Sequence, residues 1–152
     1  MVNLTPTMGP GSIDFETQTA YLTCTDALSK GDIVMLTLAS GGYSACTKSA
    51  TADSTPDHLL GVALDDVAAA ASGHIGLRGV FECACEADMD AGIPGSQSAS
   101  TAGRLKSITT NPADDSAAFV KMVAISLEAT ATAGDLTSCL FDGIVGFAAQ
   151  AV

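Results

Sequence analysis

Few side chains in this sequence are equipped for chemistry, and their spacing does not favour it. Cys83 and Cys85 flank Ala84. A structural zinc site takes four Cys or His ligands, usually as two close pairs, and here Cys24, Cys46 and Cys139 stand singly. Residues i and i+2 of a strand share a face, so core packing is the expected role of this pair. Glu86, Asp88 and Asp90 alternate ahead of Gly92, like the opening of a calcium loop. An EF-hand needs glycine directly after the third acid and glutamate at position twelve; Ala91 and Gln97 occupy those places. A solvated acidic turn is expected instead. His58 and His74 are the only histidines; a nucleophile needs such a base held against it, and no G-x-S-x-G or triad context accompanies either. Asp65-Asp66 and Asp114-Asp115 are adjacent in sequence, and adjacent strand residues point to opposite faces, so neither pair suits acid–base work. The sequence predicts no catalytic residue, no cofactor, no metal site, and a protein that is not an enzyme.

Composition narrows the partners. Charged residues are 15% of the chain, against roughly a quarter in ordinary soluble domains, so a surface largely covered by neighbouring subunits is expected. The net charge is −11, and the six basic residues (Lys30, Lys48, Arg78, Arg104, Lys106, Lys121) are scattered. Nucleic-acid binding needs clustered cations, and an anionic membrane surface attracts the same clusters; neither partner is expected. No apolar run approaches the roughly 18 to 20 residues of a spanning helix, and the first residues lack the basic and apolar regions of a secretory signal. Five cysteines at irregular spacing do not make a disulfide framework. Reduced, buried thiols in a protein made in a cytosol are the expectation.

The elements that must position these residues read as short strands. Residues 1–16 carry Pro6, Gly9, Pro10 and Gly11 and read as an extended N-terminal arm; residues 17–152 read as a single β domain. "TAYLTCT" alternates, with Ala20, Leu22 and Cys24 on one face. A turn at Ser29-Lys30-Gly31-Asp32 precedes Ile33 to Leu38, and Ser40-Gly41-Gly42 turns that strand into a hairpin. "HLLGVALDD" is a strand, "VAAAASG" a loop or at most one helical turn, and "HIGLRGVFECACEA" a long strand with Phe81, Cys83 and Cys85 on one face. After the small-residue stretch "PGSQSASTAGR" come "LKSIT", the loop "TNPADDSA", one strand "AFVKMVAISLEA", and the terminal strands "DLTSCLF" and "GIVGFAAQ". Short strands near ten-residue spacing predict a mainly β barrel or sandwich with little helix. Slid by 61 positions, "VALDDVAAAASGHIGL" lies over "VAISLEATATAGDLTS". Either two halves share supersecondary structure, or any strand pair with a loose alanine loop looks like this.

Three enzyme-associated β folds fit poorly. Lys121, between Val120 and Met122, resembles the modified lysine of a biotin or lipoyl carrier, yet lies inside a strand rather than at a hairpin tip. The nucleotide motifs of a trimeric dUTPase are missing. Two tyrosines, five phenylalanines and no tryptophan leave little for stacking on sugars.

The order of Gly31-Asp32-Ile33-Val34, Leu60-Gly61-Val62-Ala63, Gly79-Val80 and Gly103-Arg104 resembles the cadence of the tailed-phage head decoration, or capsid cement, proteins. The resemblance runs over roughly four fifths of the chain and rests on structural glycines, which any compact β barrel needs at its turns. It implies a small β-barrel protein, assembled as a homotrimer, bound to the major capsid protein on the outside of a virion between capsomers. The N-terminal arm and one exposed barrel loop are the expected contact elements. The nearest rival is a head-fibre or tail-associated subunit of similar composition; a small trimeric β enzyme ranks below both.

Overall fold

The computed structural model describes residues 17–39, 42–49, 59–87, 89–98, 100–108, 119–143 and 147–150. The expected arm, His58, and Asp114-Asp115 lie outside the described residues. Among those described there are eleven strands and no helix. The mainly β expectation holds.

Strands β1 (Gln18–Cys24), β2 (Ile33–Ala39), β3 (Gly42–Lys48), β4 (Leu60–Ala63) and β5 (Ser72–Ala84) hydrogen-bond in the order β1-β3-β2-β4-β5, and β1 also pairs with β5. The five close into a barrel. The β1–β3 pair is parallel and the others antiparallel. Strand alternation sends Leu22, Cys24, Val34, Leu36, Cys46 and Ile75 inward to one core. Their neighbours Ile33 and Val62 point outward and are nevertheless fully buried, because a second group of strands covers that side.

That group is β6 (Pro94–Gln97), β7 (Leu105–Ser107), β9 (Ala124–Ser126) and β10 (Leu136–Asp142), continuing the sheet as β5-β10-β9-β6-β7. A parallel bridge from Leu105 to Cys85 brings β7 back beside the end of β5. Strands β8 (Phe119–Met122) and β11 (Phe147–Gln150) form a separate antiparallel ribbon.

The second group repeats the first, pairing by pairing. In the first, Val62 faces Gly76 and Ala63 faces Ile75; in the second, Ile125 faces Leu140 and Ser126 faces Cys139. Ile33 with Val62 and Val34 with Gly61 return as Pro94 with Ile125 and Gly95 with Ala124. Leu22 with Gly73 and Tyr21 with His74 return as Cys83 with Thr137 and Glu82 with Ser138. The connections repeat too. Gly31 N–H bonds to Ala63 O and Gly92 N–H to Ser126 O; Ala70 N–H bonds to Cys24 O and Gly134 N–H to Cys85 O. All four of these donor residues have positive φ. The second group is a structural duplication of the five strands of the first, but it matches Val62 with Ile125 and Ile75 with Cys139, out of step with the 61-position echo that lays Val62 over Val123.

The two units share β5, whose first half is the fifth strand of one barrel and whose second half is the first strand of the next. Ile75 lies in the first core, whereas Phe81, Cys83 and Cys85 lie in the other. Alternation alone would keep these odd-numbered residues on one face. Between them the pairing of β5 with β1 slips by one residue, Arg78 facing Gln18 but Gly76 facing Thr19, and such a bulge breaks the alternation; Gly79 follows it at φ 139°. Phe81 consequently lies over Gly76.

Two element readings need correction. "AFVKMVAISLEA" is not one strand: Val123 separates β8 from β9, which pair in different sheets. The small-residue stretch "PGSQ" forms β6, held between β7 and β9; its residues carry little β propensity, and the pairing on both sides decides. Within "VAAAASG", residues 68–71 form a loop, with Ala70 at φ 64°, and Ser72-Gly73 begin β5.

Candidate interaction surface

The residues with chemistry to offer are dispersed or committed to packing. Cys83 and Cys85 are fully buried in the second core, where Cys85 Sγ lies 3.3 Å from Met89 Sδ. The hydrogen bond with Cys139, together with burial, pushes the Cys83 thiol well above its ordinary value, and burial pushes Cys85 up to about 11. Protonated thiols are poor ligands and nucleophiles. Among the described residues, no group of three His, Cys, Asp or Glu side chains could hold a metal ion. In the acidic turn, Glu86 accepts hydrogen bonds from Ser98 and Ser100, which lower its carboxyl pKa, the Ser100 bond most. Met89 within the same turn is buried, and Asp88 lies outside the described residues.

His74 has a partner that spacing did not disclose: its Nδ1 is 2.9 Å from Asp65 Oδ2, on the exposed outer face of the first barrel. Tyr21 tilts against its ring, the centroids 4.9 Å apart. Asp65 and Asp66 sit in a loop rather than on a strand, and Asp66 accepts the Lys30 N–H. Lys121 falls within β8, away from any hairpin tip.

Of the residues behind the family resemblance, Gly31, Asp32 and Gly103 converge on one buried ion pair, whereas Gly61 and Gly79 pack elsewhere. Asp32 is 1% exposed. Its Oδ2 accepts the Ser29 N–H at 2.8 Å and meets Lys48 Nζ at 2.8 Å. Gly31, at φ 89°, bends the chain into this turn. Gly103 closes it from the other side: its O accepts the Ile33 N–H, and a Cβ there would stand 3.1 Å from Asp32 Oδ1. These residues tie three connections together, a structural duty that needs no substrate.

One partly exposed face is apolar. On the outer face of the second barrel, Val80, Leu140, Ile125 and Pro94 are successive cross-strand partners on β5, β10, β9 and β6. Val80 is 45% exposed, and the other three are half-buried. Leu127 and Leu136 stand exposed nearby. Beside the row is a small open groove of about 70 Å³ lined by Met122, Val123, Ala124, Ile125, Leu140 and Asp142. Ligand sites bring several polar groups together in an apolar cleft; among the described residues the charged group lining this groove is Asp142, which is paired with Arg78 at 3.4 Å. A second ion pair, Lys30 with Glu82 at 2.5 Å, stands towards the other end. An apolar centre with charged flanks is the anatomy of a protein–protein contact.

No protein-family model and no curated protein matches this chain. Among solved structures, it is similar to the head fiber gp8.5 N base of bacteriophage phi29, with a TM-score of 0.57 over 84% of this chain and 95% of that one, at 12% identity. At that identity the likeness is one of fold.

Proposed function

We propose that this protein is a structural component of a phage head: a decoration, or cement, protein that binds the major capsid protein on the outer surface of the shell between capsomers and stabilises it. The observation that carries the reading is the shared fold with a phage head-fibre base over most of both chains. The sequence cadence of the cement family, resting on Gly31-Asp32 and Gly103, points to the same particle. The physical character agrees. A cement adds modest contacts repeated by symmetry, and their sum grows with copy number. It needs shape and stability and no reactive group, so the protein is not an enzyme and takes no cofactor. Its partners are shell protein and other copies of itself, as a trimer, rather than nucleic acid or membrane.

A head-fibre base is the second reading, favoured by the name of the neighbour itself. Copy number separates the two. In purified virions, a ratio near one copy of this 15.2 kDa chain per major shell subunit, retained through washing, is expected for a cement. A small number of copies per particle would establish the fibre reading, and absence from particles would overturn both.

A further inference from the structure

The duplication makes one apolar contact inside the chain and leaves its counterpart open. Ile33, Val62 and Gly76 form a row on the outer wall of the first barrel, and all three are buried. The second barrel covers them with Phe81 and Phe141 from its rim, whose rings meet edge to face with centroids 6.4 Å apart. Phe81 lies so close that a Cβ on Gly76 would stand 2.6 Å from its Cζ.

Both halves of that contact recur elsewhere, partly exposed. The second barrel's row of Pro94, Ile125 and Leu140 occupies the same register positions as Ile33, Val62 and Gly76, and it is partly exposed, with Val80 at its end more so. Ala20 and Leu77 occupy the places of Phe81 and Phe141 on the first barrel's rim. Ala20 faces Ile75 as Phe81 faces Cys139, and Leu77 and Phe141 each follow two residues later. The two phenylalanines are buried, but Ala20 and Leu77 are only half-buried. Gly143 follows Phe141 as Gly79 follows Leu77, and among the described residues only β11 follows it.

We infer that the exposed wall of the second barrel docks on the open rim of the first barrel of another copy, repeating between molecules the contact made once within each. The occupant is a second copy because the surface that already covers such a wall in this fold is this barrel's own rim. The contact is head to tail, so it propagates until it closes into a ring. Closed as a trimer, the ring would carry six barrels. The inference rests only on the self-assembly part of the proposed function. The mass of the purified chain tests it, whereas the copy number in virions tests attachment to the shell.

The experiment is a complementation of two faces, read by light scattering after gel filtration. Wild type is expected to elute as a closed oligomer. Wall variants Val80→Lys and Ile125→Lys, and rim variants Ala20→Lys and Leu77→Lys, are each expected at 15.2 kDa. Circular dichroism identifies any variant that merely unfolds, and two variants per face keep each face tested. An equimolar mixture of one wall and one rim variant retains one intact contact, so it is expected to give a species of twice the monomer mass and no larger one. A monomeric wild type, folded variants that stay assembled, or a mixture that stays monomeric would each overturn the inference.

Discussion

At the residue scale the most consequential interaction is the Asp32–Lys48 pair. Asp32 is almost wholly buried while Lys48 keeps a third of its side-chain surface in water. Removing one partner of a buried pair leaves an uncompensated charge, typically costing about 3 to 5 kcal/mol; the partial exposure of Lys48 lowers this to about 2 to 3 kcal/mol. Lys48→Met is expected to lose that much in urea unfolding, with an unchanged fold by circular dichroism. A loss below about 1 kcal/mol would place the pair with ordinary surface bridges. The turn around Gly31 was legible, because its residue types specify turn chemistry. The role of Asp32 was not. Its partner is sixteen residues away across a hairpin, and the third contributor, Gly103, is further still. His74 and Asp65 escaped notice for the same reason: sequence spacing does not report which loop folds back beside which strand.

At the element scale, the duplicated turn offers a built-in comparison. Gly31 and Gly92 hold the same place in the two units, at φ 89° and 82°. A Cβ at Gly31 would stand 2.3 Å from Leu136 Cδ2 and 3.2 Å from Ala84 N; one at Gly92 would meet nothing within 4 Å. Gly92→Ala therefore pays only for the left-handed backbone, about 1 kcal/mol. Gly31→Ala adds overpacking against β10 and the backbone of β5, for a total of about 2 to 4 kcal/mol. Equal losses in denaturant unfolding would show that the close approach relaxes freely. The strands themselves were largely readable from alternation and turn residues, as in β1, β2, β3 and β10. Two features were not. β6 is built from Pro94-Gly95-Ser96-Gln97, whose strand state comes from its neighbours, and the break at Val123 interrupts an apolar run that offers no local stop signal.

At the scale of the whole molecule, the shared strand couples the two barrels. Ile33 and Val62 belong to the first barrel but are buried in the core of the second, and β5 supplies a strand to each. Neither unit can unfold without exposing apolar surface of the other. A single cooperative urea transition is expected, coincident by far-UV circular dichroism and by hydrodynamic size. Two separated transitions would mean that the barrels are independent units.

Alternation and turn glycines, both local properties, were enough to determine a mainly β chain of short strands. Duplication was not legible in the sequence, whose echo aligns Val62 with Val123 rather than with its structural counterpart Ile125, because what the two units share is backbone register, and register tolerates almost any side chain that respects inside and outside. Only the tertiary structure decided that β5 serves two barrels, that its pairing slips between Gly76 and Arg78, and that one apolar wall is covered while its twin is partly exposed. Burial is a property of what lies opposite in space, and Ile33 and Leu140 acquire opposite fates from neighbours that neither residue's local sequence contains.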